Sequence, residues 1–403
     1  MGATVATGSQ SFSDTAVSSA ATAFDRWALR RIQGTVRDAL IQFSLWDGFT
    51  LRPAEPPIAS ITFRNRRALL SWVYDADLYF GETYMFGAVE ITGDLIGLLE
   101  AIYRRPASSK AFSRRGQRPN TTDASRANVH HHYDLGNDFY RLWLDRQLIY
   151  TCGYFPSQDC SLEDAQTAKM DLVCRKLRLQ PGERVVEAGC GWGALALHMA
   201  RHYGVTVRAF NISREQIAYA HDRARAEGLT GSVEFIEDDY RNVSGRYDVF
   251  VSVGMLEHVG LDHFGSLSDA IDRTLTPTGR GFLHFIGRNR PAPLNRWIRR
   301  RIFPGAYPPT LQEVCARVLE PANLSVLDIE NLRLHYAATL SHWRSRFELA
   351  SDEVADRFDE AFVRAWRLYL AGSQVAFTTG WMQLFQIVFA RGTSNAVPWI
   401  RAI

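Results

Sequence analysis

Apolar residues recur at helical spacing over 25–46, with Ala28, Ile32, Val36, Leu40 and Phe43 forming one stripe and Arg26, Arg30, Arg31 and Arg37 falling between them. The pattern predicts a basic amphipathic helix whose apolar stripe either faces a core or docks on anionic headgroups. Alternating runs at 58–63, 69–73 and 88–91, broken by Gly and Asp, predict a small sheet packed on that helix. A first α/β unit is therefore expected over 24–103. The pattern then breaks: 104–118 holds Arg104, Arg105, Lys110, Arg114, Arg115 and Arg118 with no acid and cannot bury a core, so 104–122 reads as a basic linker.

From 123 onward short apolar runs at 185–186, 205–210, 233–236, 247–253 and 281–286 alternate with helical stretches, two of them opening near Ala194 and Ser213. That rhythm predicts a doubly wound, Rossmann-like, mostly parallel sheet with helices on both faces. Over about 288–380 the periodicity turns helical with few strand candidates, which predicts a helical cap inserted over the active edge of the sheet. The second domain is thus expected over 123–403.

Composition changes this picture little. With 403 residues and 46% hydrophobic content, there is apolar material for two compact domains. The 46 basic and 43 acidic residues nearly cancel, and a net charge of +3 does not mark a nucleic-acid binder. Cys152, Cys160, Cys174, Cys190 and Cys315 are an odd set without metal-ligand spacing, which argues against a disulfide framework or a metal site and fits a reducing cytoplasm. The first 23 residues are rich in Ser, Thr, Ala and Gly and lack the basic and apolar regions of a signal peptide, so a disordered tail is expected there. Apolar runs fall short of the roughly 18 residues that would cross a bilayer, so any membrane contact is expected to be peripheral.

The clearest chemical signal is Glu187-Ala188-Gly189-Cys190-Gly191-Trp192-Gly193, which follows an apolar strand and opens a helix. Gly189, Gly191 and Gly193 let backbone approach a nucleotide-like ligand at the helix N-terminus. The spacing is Gly-x-Gly-x-Gly, not that of a dinucleotide fingerprint, and Glu187 is placed to hold an amino-acid end in preference to a pyrophosphate. A methyl-donor cofactor is therefore favoured. After the second strand, Asn211 and Gln216 can bond a ribose diol as neutral groups, with Ser213 between them. After the third, Asp239, Tyr240 and Arg241 either offer a carboxylate and an aromatic face to adenine or form an ordinary polar turn. Glu257 and His284 fall at the carboxyl ends of two central strands, where open α/β sheets bind ligands. Together with a tyrosine they could orient a small anion or serve directly as acid and base, and His284 alone could be a structural histidine.

Several motifs resemble, in order, those of the cyclopropane-fatty-acyl-phospholipid synthases. They are His132-Tyr133-Asp134-Leu135-Gly136-Asn137, Tyr150-Thr151-Cys152-Gly153-Tyr154-Phe155, the Glu187 to Gly193 turn, Gly254-Met255-Leu256-Glu257-His258-Val259-Gly260 and His284-Phe285-Ile286-Gly287. Ile302-Phe303-Pro304-Gly305, His335-Tyr336-Ala337-Ala338-Thr339-Leu340 and Gln386-Ile387-Val388-Phe389-Ala390-Arg391-Gly392 continue the series. The match spans about 128 to the C-terminus. The first domain resembles the family's lipid-associated domain more loosely, through Phe80-Gly81-Glu82-Thr83-Tyr84-Met85 and Thr92-Gly93-Asp94.

The resemblance implies a class I methyltransferase fold and S-adenosylmethionine as cofactor, with Tyr133, Tyr150 and Thr151 joining the residues above at its site. It implies methyl transfer to the cis double bond of an unsaturated phospholipid acyl chain, then proton loss that closes a three-membered ring. It further implies a bound bicarbonate ion as base, held at Cys152, Glu257, His284, Ile286 and Tyr336, and a homodimer working peripherally on the inner face of a membrane. Cys152 is expected to act through its backbone, because methylation of an alkene needs no covalent enzyme intermediate. Two departures stand out: Ser373 replaces the family's usual cysteine, and Thr378 stands where an arginine is common. They leave room for a relative that yields a methylene or methyl branch. A small-molecule methyltransferase on the same framework and a non-catalytic lipid-binding protein are the other readings. Arg288, Arg290, Arg296, Arg299, Arg300 and Arg301 around Leu294, Trp297 and Ile298 suggest either a lipid mouth or a solvated helix face.

Overall fold

The computed structural model describes residues 20–36, 39–104 and 135–396. The expected tail up to 19, the basic linker from 105 and Tyr133 lie outside the described residues. The chain forms two compact units, one containing Met1–Ala107, Asn295–Trp297 and Ser351–Val375, the other Ser108–Leu294, Ile298–Ala350 and Ala376–Ile403.

In the first unit, helix α1 (Ala23–Thr35) opens on a capping box between Thr22 and Asp25. Asp25 is fully buried and takes Arg66 in two parallel bonds, from Nε at 2.8 Å and Nη2 at 2.6 Å. The helix stops well short of the expected 46. Beyond it Ile41, Phe43 and Leu45 are buried with period two, and the chain becomes strand β1 (Ile41–Ser44). β2 (Thr50–Leu51), β3 (Ala59–Phe63) and β4 (Val89–Gly93) complete a sheet of order β2-β1-β3-β4, in which β1 and β3 are parallel. The expected strand at 69–73 instead lies inside α2 (Arg66–Met85), because Asn65 caps a helix through Ala68 N (2.8 Å) and Ala68, Leu69 and Trp72 bury one helical stripe.

Two outlying segments belong to this unit for identifiable reasons. Trp297, expected at a lipid mouth, is buried; a Cβ on Gly81 would lie 2.3 Å from its indole, so the glycine is what admits the ring. Arg296 pairs with Asp75, and its backbone N–H donates to Asp77. Arg364 donates to the carbonyls of Tyr84 (2.6 Å) and Val89 (3.0 Å), and its guanidinium lies 4.3 Å from the Tyr84 ring centroid. Ser351–Val375, expected in the cap of the second domain, thus packs within the first unit.

The second unit is built on a seven-stranded sheet of order β10-β11-β9-β8-β5-β6-β7. Its strands are β5 (Arg184–Ala188), β6 (Thr206–Asn211), β7 (Val233–Glu237), β8 (Tyr247–Val253), β9 (Leu275–Gly287), β10 (Leu324–Asn331) and β11 (Gln383–Arg391). β5 to β9 are mutually parallel, and β11 runs antiparallel to both β9 and β10. Order reverses at β5, which has β6 on one side and β8 on the other, so its carboxyl end is a topological switch point. The stretch 288–380 is not helical throughout: β10 lies within it, its exposed and half-buried residues suiting the sheet edge, while β11 is buried along eight of its nine residues. β5 and β8, each rich in valine, are buried along almost their whole length, as expected for strands covered on both faces.

Candidate active site

The carboxyl ends of β5 to β8 surround a pocket with about 1090 Å³ of space between atoms, its mouth included. Tyr150, Thr151, Glu187, Gly189, Gly191, Asn211, Gln216, Asp239 and Tyr240 all line it. Three glycines in the β5 turn have positive φ, yet their surroundings differ. A Cβ on Gly191 would project into open space, whereas one on Gly189 would meet Met255 at 2.9 Å and one on Gly193 would meet Phe235 at 2.6 Å. Gly191 therefore lets backbone face a ligand, and Gly193 lets the helix Ala194–Tyr203 seat against the sheet.

Glu187 is buried, and its Oε2 has no protein partner. Burial raises its carboxyl, an effect opposed by Lys169, whose own ammonium burial lowers. An orphaned acceptor facing a pocket fits a cationic ligand group, as the amino end of S-adenosylmethionine would supply. Asn211 Nδ2 donates to Gln216 Oε1 at 2.7 Å and to the Gly191 carbonyl at 3.2 Å, so the two amides form one unit at the β6 end. Ser213 does not line the pocket; it caps the helix Arg214–Ala226 through Gln216 N. Arg241 grips Asp239 from Nε (2.7 Å) and Nη2 (2.8 Å), engaging both of its carboxylate oxygens. Tyr240 is buried, with a hydroxyl lacking a protein partner.

Sequence reasoning missed Lys169, Gln166, Met255 and His258. Gln166 and Lys169 sit on the buried stripe of the helix Leu162–Leu177, beside Ala165, Met170 and Val173. A polar pair on an apolar stripe was the available signal. Gln166 Nε2 donates to the Thr151 carbonyl (2.8 Å) and Lys169 Nζ to Thr151 Oγ1 (3.0 Å), so this helix fixes the segment that carries Tyr150 and Thr151.

The residues expected on the acceptor side are joined by tertiary contacts. Glu257 Oε1 accepts from the Ile286 backbone N–H at 3.1 Å, and Gly254 N–H donates to the His284 carbonyl at 2.8 Å. The Leu332 carbonyl accepts from Tyr336 N–H (3.1 Å) and lies 4.0 Å from Cys152 Sγ, while Leu332 N–H donates to Leu384, the partner of Ile286 across β9 and β11. Thr339 Oγ1 accepts from Gly153 N–H at 3.0 Å. These bonds draw Cys152, Glu257, His284, Ile286 and Tyr336 to one end of β8, β9 and β11.

Glu257 Oε2 and His284 Nε2 are both buried without a protein partner. Burial pushes the Glu257 carboxyl up to about 7, and burial, helped by Lys169 and Lys176, holds His284 well below its usual value, hence neutral. Burial also pushes the Cys152 thiol far up, so the sulfur is not an activated nucleophile. Aromatic rings pack around Tyr150 and Tyr336. Tyr150 lies 5.2 Å from both Trp143 and Trp343, and Tyr336 lies 5.9 Å from Trp343 and 4.6 Å from Phe377, between centroids.

Residues 120–387 match the family described as mycolic acid cyclopropane synthetase, and 32–113 match a domain of unknown function. The chain belongs to the mycolic acid cyclopropane synthetase family. It is similar to the cyclopropane-fatty-acyl-phospholipid synthase of Escherichia coli, 40% identical over 267 residues that cover 66% of this chain and 68% of that one. It is also similar to the probable fatty acid methyltransferase of Pseudomonas putida, 35% identical over 386 residues covering 90% and 95%. Among solved structures it resembles a mycolic acid cyclopropane synthase complexed with SAH and CTAB, at 28% identity and a TM-score of 0.63, covering 66% of this chain and 98% of that one. The strand order and switch-point pocket are those of a class I S-adenosylmethionine-dependent methyltransferase.

Two consequences are measurable. Gly191→Val adds a branched side chain to open pocket space at φ +53, so cofactor affinity by calorimetry should fall at least about tenfold while the fold survives. Because the folded Glu257 carboxyl holds its proton to about 7, the native state binds more protons than the unfolded chain above about pH 4.5, and stability falls as pH rises to about 7. In urea titrations at about pH 8, Glu257→Gln should gain up to about 3 kcal/mol, with little difference near pH 4 and with cofactor affinity retained. Destabilisation at both pH values would contradict that assignment.

Proposed function

We propose that this methyltransferase adds a methyl group to the cis double bond of an unsaturated phospholipid acyl chain and closes a cyclopropane ring as a proton is lost. The observation that carries this reading is the buried pair of orphaned atoms, Glu257 Oε2 and His284 Nε2, on segments that backbone hydrogen bonds tie to those of Cys152, Ile286 and Tyr336. When bound, S-adenosylmethionine supplies an electrophilic methyl group and bicarbonate supplies the base. The alkene's own π electrons are the nucleophile, which suits a site whose Cys152 remains a thiol. Aromatic faces such as those of Trp343, Tyr336 and Phe377 would suit the positive charge that then develops on the acyl chain, and the burial of these three rings keeps water from their surroundings. Glu257, His284, the Ile286 segment and Tyr336 would hold the anion close to that charge, with Cys152 contributing through its backbone.

A second reading, a lipid methyltransferase that leaves a methylene or methyl branch, is favoured by Ser373 in place of the family's usual cysteine. Mass spectrometry of unsaturated phospholipid vesicles incubated with the protein and methyl-labelled cofactor decides between them. A gain of one CH2 that withstands mild alkene hydrogenation is expected. A reducible methylene or a saturated branch would establish the second reading, and unlabelled lipid would overturn both.

Peripheral contact with the inner membrane face is part of the proposal. No helix among the described residues is long and apolar enough to cross a bilayer. Helix α1 buries Ala28, Leu29 and Ile32 but exposes Phe24 and Trp27, stacked at 5.5 Å, with Arg31 over the Trp27 ring. Aromatic rings beside arginines suit an anionic lipid surface. Trp27→Glu should weaken co-sedimentation with phosphatidylglycerol vesicles roughly tenfold or more while leaving cofactor affinity unchanged; unaltered sedimentation would remove α1 from the contact.

A further inference from the structure

His284 is addressed from behind as well as from the site. Register places Gln386 of β11 opposite His284 of β9, and Gln386 Nε2 lies 3.1 Å from His284 Nδ1. Gln386 is fully buried. Its other amide atom, Oε1, lies 2.8 Å from Lys176 Nζ. Lys176 is itself buried and held by Glu330 Oε2 at 2.5 Å and Asp328 Oδ2 at 3.6 Å, both on β10. The chain of contacts runs from acids on the edge strand, through a lysine and an amide, to the imidazole.

The donor inventory fixes the polarity of this chain. An ammonium has hydrogens to give and no lone pair, so the amide atom facing Lys176 must be the carbonyl oxygen. The NH2 group must then face His284. That group also only donates, so Nδ1 must receive with its lone pair. A neutral imidazole carries one N–H, and with Nδ1 accepting, the hydrogen sits on Nε2, the orphaned atom. An Nε2 that carries a hydrogen has no lone pair for a proton, and the lone pair on Nδ1 is already engaged.

We infer that Lys176 and Gln386 are positioning residues that lock His284 as the Nε2–H tautomer, so that the imidazole offers a hydrogen-bond donor, and not a base, to whatever occupies the acceptor site. Of the two roles open to His284, anion holder and general base, this leaves the first. The inference rests on the reading above only for the identity of the occupant; the tautomer is a property of the protein alone. It also gives the salt-bridged lysine a purpose: without Lys176 the buried amide could turn over, present its oxygen to Nδ1 and move the imidazole hydrogen away from the site.

The test is two-bond 1H–15N correlation spectroscopy of the full chain labelled at histidine, without substrate, with His284→Asn to assign the ring. The expected spectrum has a pyrrole-type Nε2 and a pyridine-type Nδ1. Gln386→Glu puts an acceptor against Nδ1 and should move the hydrogen there, either by exchanging the tautomer or by forming the imidazolium. Lys176→Met should release the amide and populate both tautomers. In both variants kcat should fall about 10- to 100-fold, by analogy with the loss of outer partners of metal-bound histidines, while KM for the cofactor stays within about twofold. A pyrrole-type Nδ1 in the native protein overturns the inference whatever lipid product is found. So does Gln386→Glu with native tautomer and native turnover. Failure to methylate any lipid would instead overturn the functional reading and leave the tautomer result as it stands.

Discussion

The antiparallel pairing of β9 with β11 is the contact on which the arrangement around His284 and Ile286 depends. It sets Gln386 against His284 and Leu384 against Ile286, and through Leu384 it anchors Leu332, whose carbonyl gathers Tyr336 and Cys152. β11 follows the helical segments of the chain, so the pairing closes only when this late strand returns to lie between β9 and the edge strand β10. Its residues are buried almost throughout, which makes that return favourable in its own right. The site is thus assembled by the same burial that completes the fold.

Against that background the orphaned polar atoms are a local cost. Glu187 Oε2, Glu257 Oε2 and His284 Nε2 are buried without protein partners, and each such group works against folding. The raised Glu257 carboxyl and the neutral His284 are how the protein lowers that cost, since uncharged forms are cheaper to desolvate. What is held dry is therefore also held ready for ligands. Arg241 on Asp239 marks the contrast, a buried carboxylate whose two oxygens are already engaged.

The same residue types take different parts within the first unit. Arg66 and Arg364 satisfy a buried acid and the carbonyls of Tyr84 and Val89, and Trp297 fills the space left by Gly81. Arginine and tryptophan in one stretch of sequence looked like a lipid mouth, and the structure uses Trp297 as core. On α1 the reverse holds, since Trp27 is left on the outside. Composition of a segment does not say which way its side chains face.

The amino-acid sequence by itself determined the doubly wound rhythm, the glycine turn after β5, and the set of motifs that identifies the family, because each depends on local periodicity or on residues close together in the chain. It misjudged the end of α1 and the 69–73 run, where short apolar stretches satisfy helix and strand spacing alike and burial decides. It could not show that Lys169 faces the cofactor pocket, that Lys176 and Gln386 stand behind His284, or that Ser351–Val375 belongs to the first unit. Those facts join residues from 18 to 280 positions apart, such as Lys169 with Thr151, Lys176 with Gln386 and Arg364 with Tyr84. Only tertiary structure brings such groups within hydrogen-bond reach, and only there do burial and donor geometry decide which of them carry charge and which carry the proton.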